Sequence, residues 1–262
     1  MRQPRATPIT KSMGGIVTRI VNETVRSPSS VRYRSVVSGL IVLVVLSLVG
    51  CWSATAFYGV DKLISSNVFV TISTTSIVIF LLLPWFNLKG QENLDHGQRM
   101  ERMAVSWLVV LGVAHLTWEL PWVLFHSYLM GNQGEGQLWS YLWWIYADGG
   151  DTRYIHPDGN LLAFETGASF MGVIAAVLAY LHKKAGRFTD SHLVAVIALM
   201  ACEFYVTVIY ILSEVYEGMP HVNGAANLVV KFIYGNILWL VVPWIVFLWA
   251  RRVLLSRVAG PH

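Results

Sequence analysis

Charge is scarce in this chain. Asp, Glu, Lys and Arg make up 13% of its 262 residues, about half the quarter usual in soluble domains, which argues against a water-exposed globule. Cysteine is scarcer still: Cys51 and Cys202 lie far apart in separate apolar stretches, so neither a disulfide framework nor a four-ligand zinc site can be built from them. The redox compartment stays open. There is no internal repeat and no second soluble domain, and collagen and disordered-tail compositions are absent. Acid is nearly missing from the first 34 residues, where Glu23 stands against Arg2, Arg5, Lys11, Arg19, Arg26, Arg32 and Arg34. Such a tail can meet nucleic acid, but a cytoplasmic membrane flank is its commoner meaning. The flank is the reading taken here, with no nucleic-acid partner.

What the chain does have is apolar length. Hydrophobic residues are 55% of it and mean hydropathy is +0.54. Six runs, 37–58, 69–86, 103–128, 161–181, 192–212 and 228–250, can each cross ~30 Å of hydrocarbon. The expectation is an all-α, polytopic membrane bundle of six transmembrane helices, in contact with the lipid bilayer throughout. Residues 1–36 form a basic cytoplasmic tail, 37–60 an extra amino-terminal helix, 61–251 the main membrane domain and 252–262 a short cytoplasmic tail. Localisation follows as integral and multi-pass, in the endoplasmic reticulum if the source is eukaryotic and in the cytoplasmic membrane if bacterial. With the amino terminus inside, inner segments carry Lys89, Arg99, Arg102, Lys183, Lys184, Arg187, Arg251, Arg252 and Arg257. Outer segments carry mostly acids, and only Lys231 cuts against the positive-inside rule. A rival reading of the first span is removal, since Leu48-Val49-Gly50-Cys51 resembles a lipoprotein cleavage box and Ala54-Thr55-Ala56 a signal-peptidase site; the basic region ahead of it is long for a signal peptide.

Ionisable groups inside spans cost about 2.5–3.5 kcal/mol each at mid-membrane, so they normally line a cavity or ligand site. On the third span His115, Glu119, Trp122 and His126 fall at i, i+4, i+7 and i+11, one helical face, with Pro121 predicting a kink beside Glu119. The fourth span carries Glu165 with Ser169 and Gly172. The fifth repeats the stripe with Glu203, Thr207, Tyr210 and Glu214, and the sixth offers Asn236, Trp239 and Pro243. Counted from the outer ends, Glu119 and Glu203 lie roughly 14 Å deep, Asn236 roughly 12 Å, Trp239 roughly 17 Å, His115 roughly 20 Å and Glu165 roughly 6 Å. Four helices therefore aim polar or aromatic groups at one layer in the outer half. An isolated His or Asn in such a bundle is more often an interhelical hydrogen-bonding residue. Three carboxylates and a His together weigh toward a functional cluster, because little in lipid compensates them except each other, a proton or a ligand. His115 and Glu119 have metal-compatible spacing, but no HExxH pair or Cys accompanies them and no metal site is expected. The aromatic segment 138–146 is expected along the outer interface, where it can gate a lipid-facing entrance.

The ordered motifs resemble a known family. His115-Leu116-Thr117-Trp118-Glu119, Tyr146 to Tyr154 with Asp151 and Arg153, Phe164-Glu165-Thr166, Tyr205 with Tyr210 to Glu214, and Gly235-Asn236 with Trp239 and Pro243 are similar to the emopamil-binding protein group of the EXPERA superfamily. The likeness runs in order over residues 103–250. It implies a five-helix EXPERA-like core at 61–251, to which the first span is extra, with the last five spans enclosing the pocket. It also implies a membrane sterol 8,7-isomerase that shifts a ring double bond without any cofactor. By resemblance His115, Glu119, Glu165, Asn236 and Trp239 occupy pocket positions. Alkene protonation makes a tertiary carbocation, which needs a buried acid, a nearby base and an electron-rich wall. His115, Glu119 and Glu165 are therefore the candidate catalytic residues. Trp118, Trp122, Glu203, Thr207, Tyr210, Asn236 and Trp239 are the candidate substrate-binding residues. The expected partner is a sterol or related polycyclic isoprenoid lipid, with cationic amphiphilic amines as inhibitors and homo-oligomerisation left open. This chain has Glu203 and Thr207 where the family pattern has Gln and Asp. The rival functions are a non-catalytic sterol- or amine-binding or trafficking protein, and then a transporter with a proton-coupled carboxylate path.

Labelling tests the orientation. Gly134→Cys should react with an impermeant maleimide added outside and Gly186→Cys only after permeabilisation; the reverse pattern would overturn the topology.

Overall fold

A computed structural model describes residues 31–131 and 138–259. The basic tail before residue 31, most of the glycine-containing loop and the last three residues, with the expectations placed on them, lie outside the described residues. Described regular structure is helical apart from one isolated bridge between Arg32 and Lys89. The helices are α1 (Tyr33–Tyr58), α2 (Lys62–Leu82), α3 (His96–Ala114), α4 (Leu120–Gly131), α5 (Leu138–Ala147), α6 (Gly159–Ala185), α7 (Asp190–Tyr216), α8 (Gly224–Asn227) and α9 (Gly235–Val258). A π-helical turn, His115–Glu119, joins α3 to α4, and another, Leu228–Tyr234, joins α8 to α9. Six continuous segments are long and apolar enough to span a membrane, and the protein is an integral, multi-pass membrane protein.

Local chemistry sets the ends of these helices. Asp61 accepts from the backbone N–H groups of Leu63 and Ile64 at 2.8 and 3.1 Å, satisfying free donors at the start of α2. Asp95 and Gln98 form a capping box on α3, and Asp158 and Thr189 cap α6 and α7. Gly59 and Gly186 stop α1 and α6 in the left-handed conformation, with φ of +65° and +69°, which glycine adopts without a Cβ penalty.

α7 packs along α9, α3 along α6 and α1 along α2. The half of the bundle expected on the inner side is filled by Trp107, Leu108, Leu111, Ala175, Leu193, Met200 and Val246 among others. An aromatic group containing Trp122, Trp143, Trp144, Tyr154, Tyr210 and Phe232 fills the half expected on the outer side. Lipid tails are as apolar as leucine, so helices associate through close packing and polar contacts rather than hydrophobic exclusion. α6 passes close against the first π turn: a Cβ on Gly172 would sit 2.5 Å from the His115 Cβ.

Three expectations need correction. The segment around residues 138–146 is packed into the bundle rather than laid on its surface. Ser140, Tyr141, Trp143, Trp144 and Ile145 are buried, because Tyr141 bonds Ser65 at 2.8 Å and the Trp143 indole donates to the Trp118 carbonyl at 3.0 Å. The last five spans do not enclose the pocket alone, since α1 also lines it. Lys231, which seemed to breach the charge rule, is fully buried and donates its ammonium to the Asp148 carbonyl, so it clamps a loop rather than meeting outside water.

Gly172→Ala should overpack the α3–α6 seam and cost about 1–3 kcal/mol, read as a lowered unfolding temperature in detergent. Gly167→Ala, on the same helix with open space around it, should be close to neutral. Equal effects at both positions would contradict the close-approach account.

Candidate functional site

Between the inner core and the outer aromatic group lies a cavity of about 760 Å³. Most of its wall is aliphatic or aromatic, and its charged lining residues are Glu119, Glu165 and Glu203, joined by His115. No Lys or Arg is among them.

The π turn positions two of these groups. Pro121 has no N–H to return to the carbonyl of Thr117, and the turn ahead of it is widened so that the Leu120 N–H donates to the His115 carbonyl five residues back. The perturbation expected from Pro121 therefore appears as a π turn holding both His115 and Glu119, a feature common at functional sites. His115 Nδ1 lies 3.1 Å from Glu119 Oε1, without the alignment of a hydrogen bond. On its other side His115 Nε2 lies 3.3 Å from Glu203 of α7. The imidazole thus bridges two carboxylates from two helices. Trp239 of α9 packs on it with ring centroids 5.4 Å apart, and Trp107 packs on Trp239 at 5.1 Å.

Glu165 reaches the same cavity because α6 begins at Gly159, two residues before the expected span. Its Oε1 accepts from the Tyr154 hydroxyl. Burial, and then the charge of Glu165, push the Tyr154 phenol well above its ordinary pKa, so it remains a donor. The Oε2 atoms of Glu119 and Glu165 are buried without a protein partner. Buried carboxylate oxygens normally find partners, so two left free in one cavity mark a place for a proton or a ligand.

A second polar system closes the outer end. Tyr210 donates to Asp151 at 2.7 Å, so Tyr146, 3.0 Å from the Tyr210 oxygen, must be the donor there, and its own oxygen accepts from the Asn236 amide at 2.9 Å. Asp151 is gripped by Arg153 through both carboxylate oxygens, the shortest contact being 2.7 Å. Burial disfavours the charged guanidinium, but its hydrogen bonds to Asp151, together with the nearby negative charge of Asp151 and Glu214, outweigh it and raise the Arg153 pKa. Arg153 also lies 3.6 Å from Glu214, which pairs with His221 at 2.9 Å. Glu214, Glu217 and His221 bring three ligand-type atoms within 4.8 Å, although Glu214 is already engaged by His221 and Arg153.

Of the residues singled out in the sequence, His115, Glu119, Glu165, Trp118, Glu203, Thr207, Tyr210, Asn236 and Trp239 all line the cavity. Trp122 does not: it is buried in the aromatic group with its indole donating to the Tyr154 carbonyl at 3.2 Å. His126 stacks on Trp122, away from the cavity. Asn236 lines the wall, but its amide is committed to Tyr146 and to the Phe232 carbonyl. Sequence reasoning gave no role to Tyr154 and passed over Trp107. Tyr154 lay within a motif already noted, and Trp107 sits two helical turns before His115 on the same face.

No family model matches the chain. It is 31% identical over 183 residues to the 3-beta-hydroxysteroid-Delta(8),Delta(7)-isomerase of Cavia porcellus, covering 68% of this chain and 76% of that protein. The chain belongs to the emopamil-binding protein family. The Mus musculus protein of the same name is 31% identical over 160 residues, covering 59% of this chain and 66% of its own length. The EXPERA-type resemblance of the ordered motifs thus agrees with sequence similarity over 68% and 59% of the chain to these two proteins.

Arg153→Met should leave Asp151 and Glu214 buried without their shared cation. Breaking one partner of a buried pair costs about 3–5 kcal/mol, so the unfolding temperature should fall sharply; a loss under about 1 kcal/mol would mean the pair is solvated like a surface bridge.

Proposed function

We propose that this protein is a membrane isomerase that shifts a ring double bond of a sterol or related polycyclic isoprenoid, in the manner named for its relatives. The observation that carries this reading is the pair of unpartnered carboxylate oxygens, on Glu119 and Glu165, in a mostly apolar cavity that Trp239 also lines. A carboxyl proton adds to one alkene carbon, forming a C–H bond and a tertiary carbocation at the other. A carboxylate then takes a proton from the adjacent carbon, and those electrons become the shifted double bond. The reaction is redox-neutral, so neither oxidant nor nucleotide enters its balance.

In this scheme Glu119, backed by His115, exchanges protons with the substrate. Glu165 offsets the cation and assists transfer, with Tyr154 fixing its orientation, and the Trp239 ring stabilises positive charge through its face. Trp118, Thr207 and Tyr210 shape the surrounding wall, and Glu203 holds the far side of His115. A site of this kind also suits a protonated amine on a bulky apolar body, which mimics the cation; cationic amphiphilic amines are accordingly proposed as inhibitors.

Purified protein incubated with 8,9-unsaturated sterols in deuterated water should release a shifted alkene carrying deuterium, read by mass spectrometry. Tight sterol binding without turnover would replace the isomerase with a binding protein. Glu165→Gln should weaken a cationic amine by about 1–3 kcal/mol, the range for losing a charge-assisted hydrogen bond, and a neutral isostere less. If amine and isostere bind alike in the unmodified protein, and Glu165→Gln alters neither, the carbocation scheme fails.

A further inference from the structure

The helix α1 buries none of its residues, yet it is part of the cavity wall. Val37, Leu40, Ile41, Val44 and Val45 fall at i, i+3, i+4, i+7 and i+8, one helical face, and all five line the cavity. The helix is tied down at its ends. At the inner end Lys89 and the chain around Arg32 exchange backbone hydrogen bonds of 3.0 and 3.1 Å. Toward the outer end Thr55 bonds Ser65 at 2.7 Å, while Leu48 and Trp52 pack against the cluster of Phe69, Tyr141 and Ile145. Between these ties α1 runs along α2 and touches α5, with no extended seam against α3.

Cavity-lining residues on both sides of that gap also face outward. Ile41 and Val45 are 60% and 52% exposed, and Val113 of α3 is 57% exposed. Side chains that line the inside and face the outside flank an opening, and in a membrane this opening meets acyl chains. The cavity is also elongated: it runs along α2 from Phe69 to Phe80, about 16 Å at 1.5 Å per residue. Its carboxylates come from the π turn, α6 and α7, with Glu119, Glu165 and Glu203, while the α1 face presents only branched aliphatic chains.

We propose that α1 is a substrate-contacting wall that sets specificity for the hydrocarbon remote from the reacting bond, and that the gap between α1 and α3 is the lateral portal through which the lipid enters. This rests on the isomerase reading for the identity of the substrate, but the portal is a property of the cavity and can be tested without turnover. Discrimination here acts on bulk and shape, since the α1 face offers no hydrogen-bonding group.

The test combines photolabelling with rates in vesicles. A diazirine-bearing sterol should label α1 between Val37 and Val45 in the unmodified protein, and excess unlabelled sterol should suppress that label. Ile41→Trp and Val113→Trp should each lower kcat/KM about tenfold or more, mainly by raising KM, which marks lost binding rather than lost chemistry. Leu46→Trp, on α1 but outside the cavity lining, should stay within about twofold of the unmodified protein. Competed labelling of α1 without turnover would remove the isomerase and keep the portal. Turnover with no competed label on α1, and with KM unchanged in both tryptophan variants, would overturn the portal and keep the isomerase.

Discussion

The structure depends on how a membrane bundle tolerates three carboxylates at one level, and the answer is centred on His115. Its two ring nitrogens lie 3.1 Å from Glu119 and 3.3 Å from Glu203, so one side chain connects α3 to α7 through charges that lipid could not solvate. That placement requires α6 to pass close behind it, and only the hydrogen of Gly172 leaves room. It also needs the π turn, which accommodates Pro121 while keeping His115 and Glu119 on the cavity side. Packing, backbone irregularity and electrostatics therefore meet at the same five residues.

The outer end is closed by a different polar system. Asn236, Tyr146, Tyr210 and Asp151 form a chain in which each donor is assigned by the next acceptor, and Arg153 carries it on toward Glu214 and His221. This chain draws α5, α7 and α9 together over the carboxylate layer. Full satisfaction matters there, since a buried polar network with one missing partner costs more than an apolar core would. The cavity differs in kind: its Glu119 and Glu165 oxygens are left free where the outer network leaves little open. One set of polar groups reads as scaffold and the other as site.

The second π segment has a comparable structural setting. Leu228–Tyr234 carries Lys231 into the protein interior, where its ammonium meets the Asp148 carbonyl and its stem packs close to Gly150. The loop that leads to Asp151 and Arg153 is thereby fixed to the sixth span. Irregular helix inside a membrane is tolerated where it is buried in protein or lines a cavity; the first π segment lines the cavity, and the second buries Lys231 and Phe232.

Apolar run length by itself determined the number of spans, because a helix needs about 17–25 mostly apolar residues to cross the hydrocarbon, and the 3.6-residue period put His115 with Glu119 and Glu203 with Thr207 and Tyr210. Those regularities are local, and they were legible. Periodicity names the face of a helix but not the neighbour that the face meets. Trp122 shares the stripe of Glu119, yet packs among aromatics, because rotation past the π turn and the position of Tyr154 decide its partner. His115 and Glu203 are 88 residues apart, and the contact of α1 with the cavity depends on which gap between helices it covers. Such pairings are set by how whole helices dock, where many small packing and polar terms act together, and only the tertiary structure could decide them.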